Sequence, residues 1–298
     1  MVDELKSLHT YGGQAVIEGV MIIGKKAASL AVRAPNNSIL TRSIEFPRIA
    51  KSKFRTLPFF RGPIVLLISL VLGFKALNIS SRISISESDG SEENIRFIDN
   101  LLLWFSMVFA VLFGLGVFFL GPLFGARLLD SFIESKLVIN IIEGCIRLIL
   151  LVLYIWLIGR TSDIKRLFAY HGAEHMTIHA YENNESLEVN NIVKFPKAHP
   201  RCGTAFLVTV AIVAVVVFSL LGYPSLLIAT VSRIIFIPFI ASISYELIRF
   251  SGLSGNTMIA KIMAAPGIFF QRLTTRNPDH SQIEVAIVAM EHALEADK

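Results

Sequence analysis

Cysteine is scarce in this chain: 298 residues hold two, Cys145 and Cys202. The first lies in an apolar run and the second in a polar loop, so neither a structural disulfide nor a CxxC redox pair is expected. Charge is thin as well. Charged residues make up 17% against 53% hydrophobic, with a mean hydropathy of +0.62, which excludes a disordered chain and a small disulfide scaffold. No heptad repeat suggests a coiled coil, and no internal repeat or low-complexity tract is visible. The first 57 residues carry a charge or a turn residue every few positions and no apolar h-region, so no signal peptide is expected and the N-terminus is expected in the cytoplasm. The glycines match neither the GxGxxG nor the GxxxxGK[ST] phosphate-binding pattern. A net charge of +5 could suggest nucleic acid. In so apolar a chain it is better read as basic loops facing anionic lipid, and no nucleic-acid partner is expected.

What the sequence does have is long apolar runs. Residues 101 to 124 are uncharged throughout, and at ~1.5 Å per residue they match a ~30 Å hydrocarbon core. Runs at 137–158, 205–221 and 226–248 are comparable, the last two joined by Gly222-Tyr223-Pro224 as a hairpin turn. The segment 58–80 differs, because only Gly62 to Phe74 is uncharged; a re-entrant or interfacial helix is expected there. Four spans then leave 125–136 and the 222–224 turn on one side with two basic residues, Arg127 and Lys136, against nine in residues 24–61 alone on the other, which places both termini in the cytoplasm. A five-span alternative puts the acidic 87–99 stretch outside. The expected class is a mostly α, polytopic membrane protein with four transmembrane helices, a re-entrant or interfacial helix, and a small β-rich N-terminal part. Its divisions are 1–57 (cytoplasmic, β-rich), 58–80 (re-entrant or interfacial), 81–158 (linker and first transmembrane hairpin), 159–204 (cytoplasmic loop and helix), 205–250 (second hairpin) and 251–298 (cytoplasmic).

Within the second and fourth runs lie Glu143, Arg147 and Arg233. Each costs a few kcal/mol at bilayer depth unless paired. Counted from Leu137 and Leu226, Glu143 is ~9 Å deep and Arg233 ~10 Å deep, so an interhelical ion pair is expected. It serves helix packing, or, less economically, an ion or proton path.

Histidine is distributed unevenly. Of seven, His171, His175, His179 and His199 fall within 29 residues, where an even spread places about 0.7. Tyr170-His171-Gly172-Ala173-Glu174-His175 is an H-x-x-E-H pattern, on a helix that Thr161, Ser162 or Asp163 can cap. One turn separates His171 from His175, at ~40° around the axis, so both can reach one cation, and Glu174, ~60° to the side, is placed to act as general base toward water. His199 and Cys202, with Arg201 between them, are the nearest residues to complete a site; Glu182 lies three turns from His171, too far for the same ion. Glu18, read as a strand residue in Gly12-Gly13-Gln14-Ala15-Val16-Ile17-Glu18-Gly19-Val20-Met21, either faces solvent or is delivered to the histidines. The plain alternative is that histidines continuing an apolar helical face are satisfied core residues.

Three strings, residues 12–21, 170–175 and His199-Pro200-Arg201-Cys202-Gly203-Thr204, together resemble the bacterial YqhQ-like membrane family, with Tyr245–Arg249 and Thr274-Thr275-Arg276 as further pieces. That family is of unknown function and carries the label of a metal-dependent enzyme, so the resemblance implies a multipass membrane protein and a metal but no substrate. The residues lead to a divalent cation, zinc by ligand type, held by His171, His175, His199 and Cys202, with Glu174 catalytic and Glu18 and Arg201 as site-completing residues. The expected function is a membrane hydrolase at the cytoplasmic face of the bacterial inner membrane, acting on a lipid-linked or membrane-delivered substrate. The alternatives are a non-catalytic scaffold with a structural metal, and a transporter, for which Pro238 is the one helix-breaking signal in the last run.

Overall fold

The computed structural model describes residues 11–52, 57–85, 97–222, 224–253 and 257–298. The chain opens with an antiparallel sheet of four strands in sequence order: β1 (Gly12–Val16), β2 (Gly19–Ile23), β3 (Ala27–Arg33) and β4 (Ile39–Glu45). Gly24 and the 34–38 segment turn the later strands, as their residue types predict. The first turn is new. Val16 pairs with Gly19, so Ile17 and Glu18 form a two-residue hairpin loop with Glu18 at φ 51°, and Glu18 is not the strand residue expected.

The sheet is covered on both faces, which is why β2 reads as a nearly unbroken apolar run. Val20 and Ile22 face a core built with α5 (Ser162–Glu182) and α11 (His280–Asp297). Between them Met21 faces the opposite way, with Leu30 and Val32, onto Ile68, Leu72 and Ala76 of α1 (Arg61–Ile85). Thus α1 is one unbroken 25-residue helix and not re-entrant, and by length and composition it could cross a membrane. Lys75 does not interrupt it, because that side chain points away from the sheet to the exposed face. Asp279 caps the start of α11 in a box with Gln282.

The apolar runs form the remaining helices. A second candidate span comprises α2 (Phe97–Leu115), a π-helical segment (Gly116–Leu120) and α3 (Gly121–Arg127); a third is α4 (Lys136–Ile158) and a fourth α7 (Gly203–Leu220). The expected last span is broken into α8 (Leu226–Ile235) and α9 (Ile237–Leu253), bent by 47°. Pro238 explains the break, since it cannot donate to the preceding turn. Counted this way, the described residues hold four helices long and apolar enough to span, or five with the bent pair. Exposed Phe105, Leu112, Phe113, Ile149, Leu227 and Ile235 face outward from these helices, as lipid-facing side chains do. Two further helices are the one-turn α6 (Val189–Ile192) and the 17-residue α10 (Met258–Thr274), the latter packed along α7 with Ile259, Ile262 and Phe269 outward. The acidic stretch of the five-span alternative lies largely outside the described residues, as does Tyr223 of the hairpin turn.

Between the spans, Glu143 meets both arginines. Its carboxylate accepts from Arg233 at 2.6 and 3.3 Å and from Arg147 at 2.8 Å. Arg147 Nε also donates to the Phe118 carbonyl at 3.0 Å, within the π-helical segment, and the Phe218 ring lies against both guanidiniums.

Candidate metal centre

α5 carries the site along one stripe. His171, His175, His179 and Glu182 stand at i, i+4, i+8 and i+11, a spacing that keeps them on one face over three turns. Facing them is the 193–202 loop, which contributes His199 and Cys202. Buried Gln271 of α10 fastens this loop: it accepts from the His199 amide at 2.7 Å and donates to the His199 carbonyl at 2.9 Å. Cys202 is the N-cap of α7, where its sulfur accepts from the Thr204 amide at 3.4 Å, at the end of a helix that favours negative charge.

Backbone carbonyls fix the rings. His171 Nδ1 donates to Thr274 O at 2.8 Å and His175 Nδ1 to Lys197 O at 2.7 Å. Each therefore keeps the lone pair on Nε2, the outer-shell arrangement that orients histidine ligands at metal sites. His171 Nε2 lies 3.2 Å from Cys202 Sγ, and the ligand atoms of His171, His175 and Cys202 all fall within 4.8 Å of one another. The two imidazole rings are 4.3 Å apart. This donor set, two imidazoles and a thiol, suits a borderline-soft divalent cation such as zinc.

The structure divides the expected ligands. His199 lies not with this trio but with His179 and Glu182, in a second group whose ligand atoms are again within 4.8 Å. Burial lowers the pKa of His175 and His199, and that of His179 to about 4, so these rings stay neutral near neutral pH. Arg201 turns to the Glu182 carboxylate rather than to the first trio.

Glu174 belongs to neither group. It is 3% exposed, with its carboxylate 3.7 Å from His175 Nε2 and facing the Gly13 amide of β1. Burial raises its pKa, against the pull of His171 and His199. Gly13 has no room for a side chain, because a Cβ there would meet Met21 O at 2.7 Å and Glu174 Cγ at 2.8 Å. Glu18 does not reach the histidines. Its turn aims it at the other end of α5, where Arg166 forks onto it at 2.5 and 2.6 Å and Tyr170 donates at 3.2 Å. Gly13, Gln271 and Thr274 were not legible in the sequence as site residues, because they act through shape, a side-chain amide clamp on the loop and a backbone carbonyl, and carry no ligand chemistry; the Gly12-Gly13 pair was the one visible signal.

A family model described as "Protein of unknown function (DUF1385)" matches residues 57–296, and the chain belongs to that family. It is similar to the uncharacterized protein YqhQ of Bacillus subtilis (strain 168), 34% identical over 294 residues that cover 95% of this chain and 92% of that protein. No solved structure matches.

Proposed function

We infer that the protein is a metal-dependent membrane enzyme, a hydrolase whose site lies at the cytoplasmic membrane face. The observation that carries this reading is the pair of carbonyl-held imidazoles aimed at Cys202, with a buried carboxylate beside them. His171, His175 and Cys202 would hold the cation, three protein ligands being the number typical of catalytic zinc. When bound, such a cation acidifies water and polarises a carbonyl or phosphoryl oxygen. Glu174 is suited to carry the proton: burial favours its protonated form, and the neighbouring rings limit that effect. Gly13, lacking a side chain, lets β1 approach Glu174 closely on one side.

Crossing parity supports the position. The sheet and α5 share one core, so they lie on one side of any membrane. Three helical candidates separate them, α1, α2–α3 and α4, and an even number must cross. α1 is the one packed on the sheet, which favours an interfacial α1 and a crossing hairpin of α2–α3 with α4. α7 and the bent α8–α9 pair then cross as a second hairpin and return the chain to α11, on the same sheet. The site stands where α4 ends and α7 begins, within reach of a membrane-delivered substrate.

A second reading is a structural metal in a scaffold protein, favoured by the burial of His175 and Glu174. Glu174→Gln separates the two. The enzyme reading expects full metal content by mass spectrometry, with loss of metal-dependent hydrolysis of ester or phosphodiester substrates dispersed in micelles. Loss of the metal from Glu174→Gln would make Glu174 a ligand and favour the closed, structural site.

A further inference from the structure

We propose that this protein binds a second divalent cation, between His179, Glu182 and His199, one helical turn along α5 from the first. The inference rests on the reading of His171, His175 and Cys202 as a metal centre only for the dinuclear character it adds; its own ligands are separate.

The second group repeats the logic of the first with the tautomer reversed. His179 Nε2 donates to Ala198 O at 2.9 Å, which leaves Nδ1 as the ring's lone-pair nitrogen. His199 Nδ1 accepts from the Arg201 amide at 3.3 Å, so the proton sits on Nε2, 3.3 Å from Glu182 Oε2. That hydrogen bond occupies the position a cation would take: binding displaces one proton from Nε2 to solvent and joins the same two atoms through the ion. Glu182 can serve without giving up its other contact. Its Oε1 is paired with Arg201, and a ligating carboxylate is commonly held by such a partner on the oxygen that faces away from the metal. Each group draws two residues from the α5 stripe and one from the 193–202 loop, so the Gln271 clamp on His199 shapes both. The rings form a continuous row, His171 to His175 at 4.3 Å, His175 to His199 at 5.7 Å and His199 to His179 at 4.5 Å. Glu174 stands beside this row, its carboxylate 3.7 Å from His175 Nε2. The two sites differ in softness. The first offers sulfur and nitrogen; the second offers nitrogen and oxygen, which suits zinc, manganese or iron(II).

Cobalt(II) distinguishes them, because only a thiolate ligand gives a near-ultraviolet sulfur-to-metal band. Full-length protein in detergent is stripped with chelator and titrated with cobalt(II), reading equivalents bound and that band. The expected result is two equivalents with the band in the wild type. His179→Ala and Glu182→Gln should each bind one equivalent and keep the band, whereas Cys202→Ser should lose the band and keep the equivalent held by His179. Glu182→Gln preserves an oxygen for Arg201, and its melting temperature without metal checks that the fold survives. One equivalent, with the band and unaffected by His179→Ala, overturns the second site and leaves the first standing. One equivalent without the band, lost in His179→Ala, supports the second site and removes the first. No bound cobalt overturns both.

Discussion

Glu143 serves two guanidiniums with one carboxylate, and all three side chains are at least 96% buried between α4 and α8. A pair was expected from the depth of Glu143 and Arg233; the trio arises because Arg147, one turn further along α4, reaches the same oxygen and the π-helical carbonyl of Phe118. The consequence is asymmetric. Removing Arg147 leaves a paired Glu143–Arg233 couple, whereas removing Glu143 leaves two like charges without a counterion in a dry setting. Breaking a buried pair from one side typically costs about 3–5 kcal/mol. Glu143→Gln should therefore destabilise the protein by about that much in detergent unfolding, and more than Arg147→Met does. Equal losses from the two variants would mean that the carboxylate does not hold the cluster together.

At the scale of elements, the site depends on close approach between segments far apart in sequence. Gly172 on α5 packs directly on the Arg276 carbonyl, so the segment that follows α10 is seated against the helix and the nearby Thr274 carbonyl meets His171. Gly172→Ala should push these apart and lower metal affinity about tenfold or more, although no ligand is changed, an outcome read by chelator competition; unchanged affinity would show that the Thr274 contact does not orient His171. This dependence explains what was legible beforehand. The helix carrying H-x-x-E-H and three of the apolar runs follow from local period and residue type, and they appear as helices as expected. The Ile17-Glu18 hairpin did not, because alternation continues through it and only the positive φ of Glu18 marks the turn. Nor did the separation of His199 from Cys202. Three residues apart in sequence, they diverge because Gln271, 72 residues from His199, fixes the loop between them. The full length of α1 was hidden by Lys75, which breaks the apolar run in sequence but lies on the face turned away from the sheet.

For the whole molecule, the sheet, α5 and α11 share one core and form one body, so the proposed crossings of the candidate spanning helices must leave the sheet and the site on the same side of a membrane. Single cysteines introduced in a chain lacking Cys145 and Cys202 test this in intact cells: Glu134→Cys, in the exposed α3–α4 connection, should react with an impermeant maleimide, and Glu284→Cys, exposed on α11, should not. The reverse pattern would invert the topology, and labelling of both would require α1 to cross. The central claim remains the cation held by His171, His175 and Cys202, and X-ray absorption at the zinc edge of protein purified without chelator tests it most directly. The account predicts stoichiometric zinc with a sulfur neighbour at about 2.3 Å and imidazole nitrogen at about 2.0 Å, the sulfur shell vanishing in Cys202→Ser. Zinc with no sulfur neighbour, or protein with no stoichiometric metal, would contradict it and return His171 and His175 to the role of buried core residues held by backbone carbonyls.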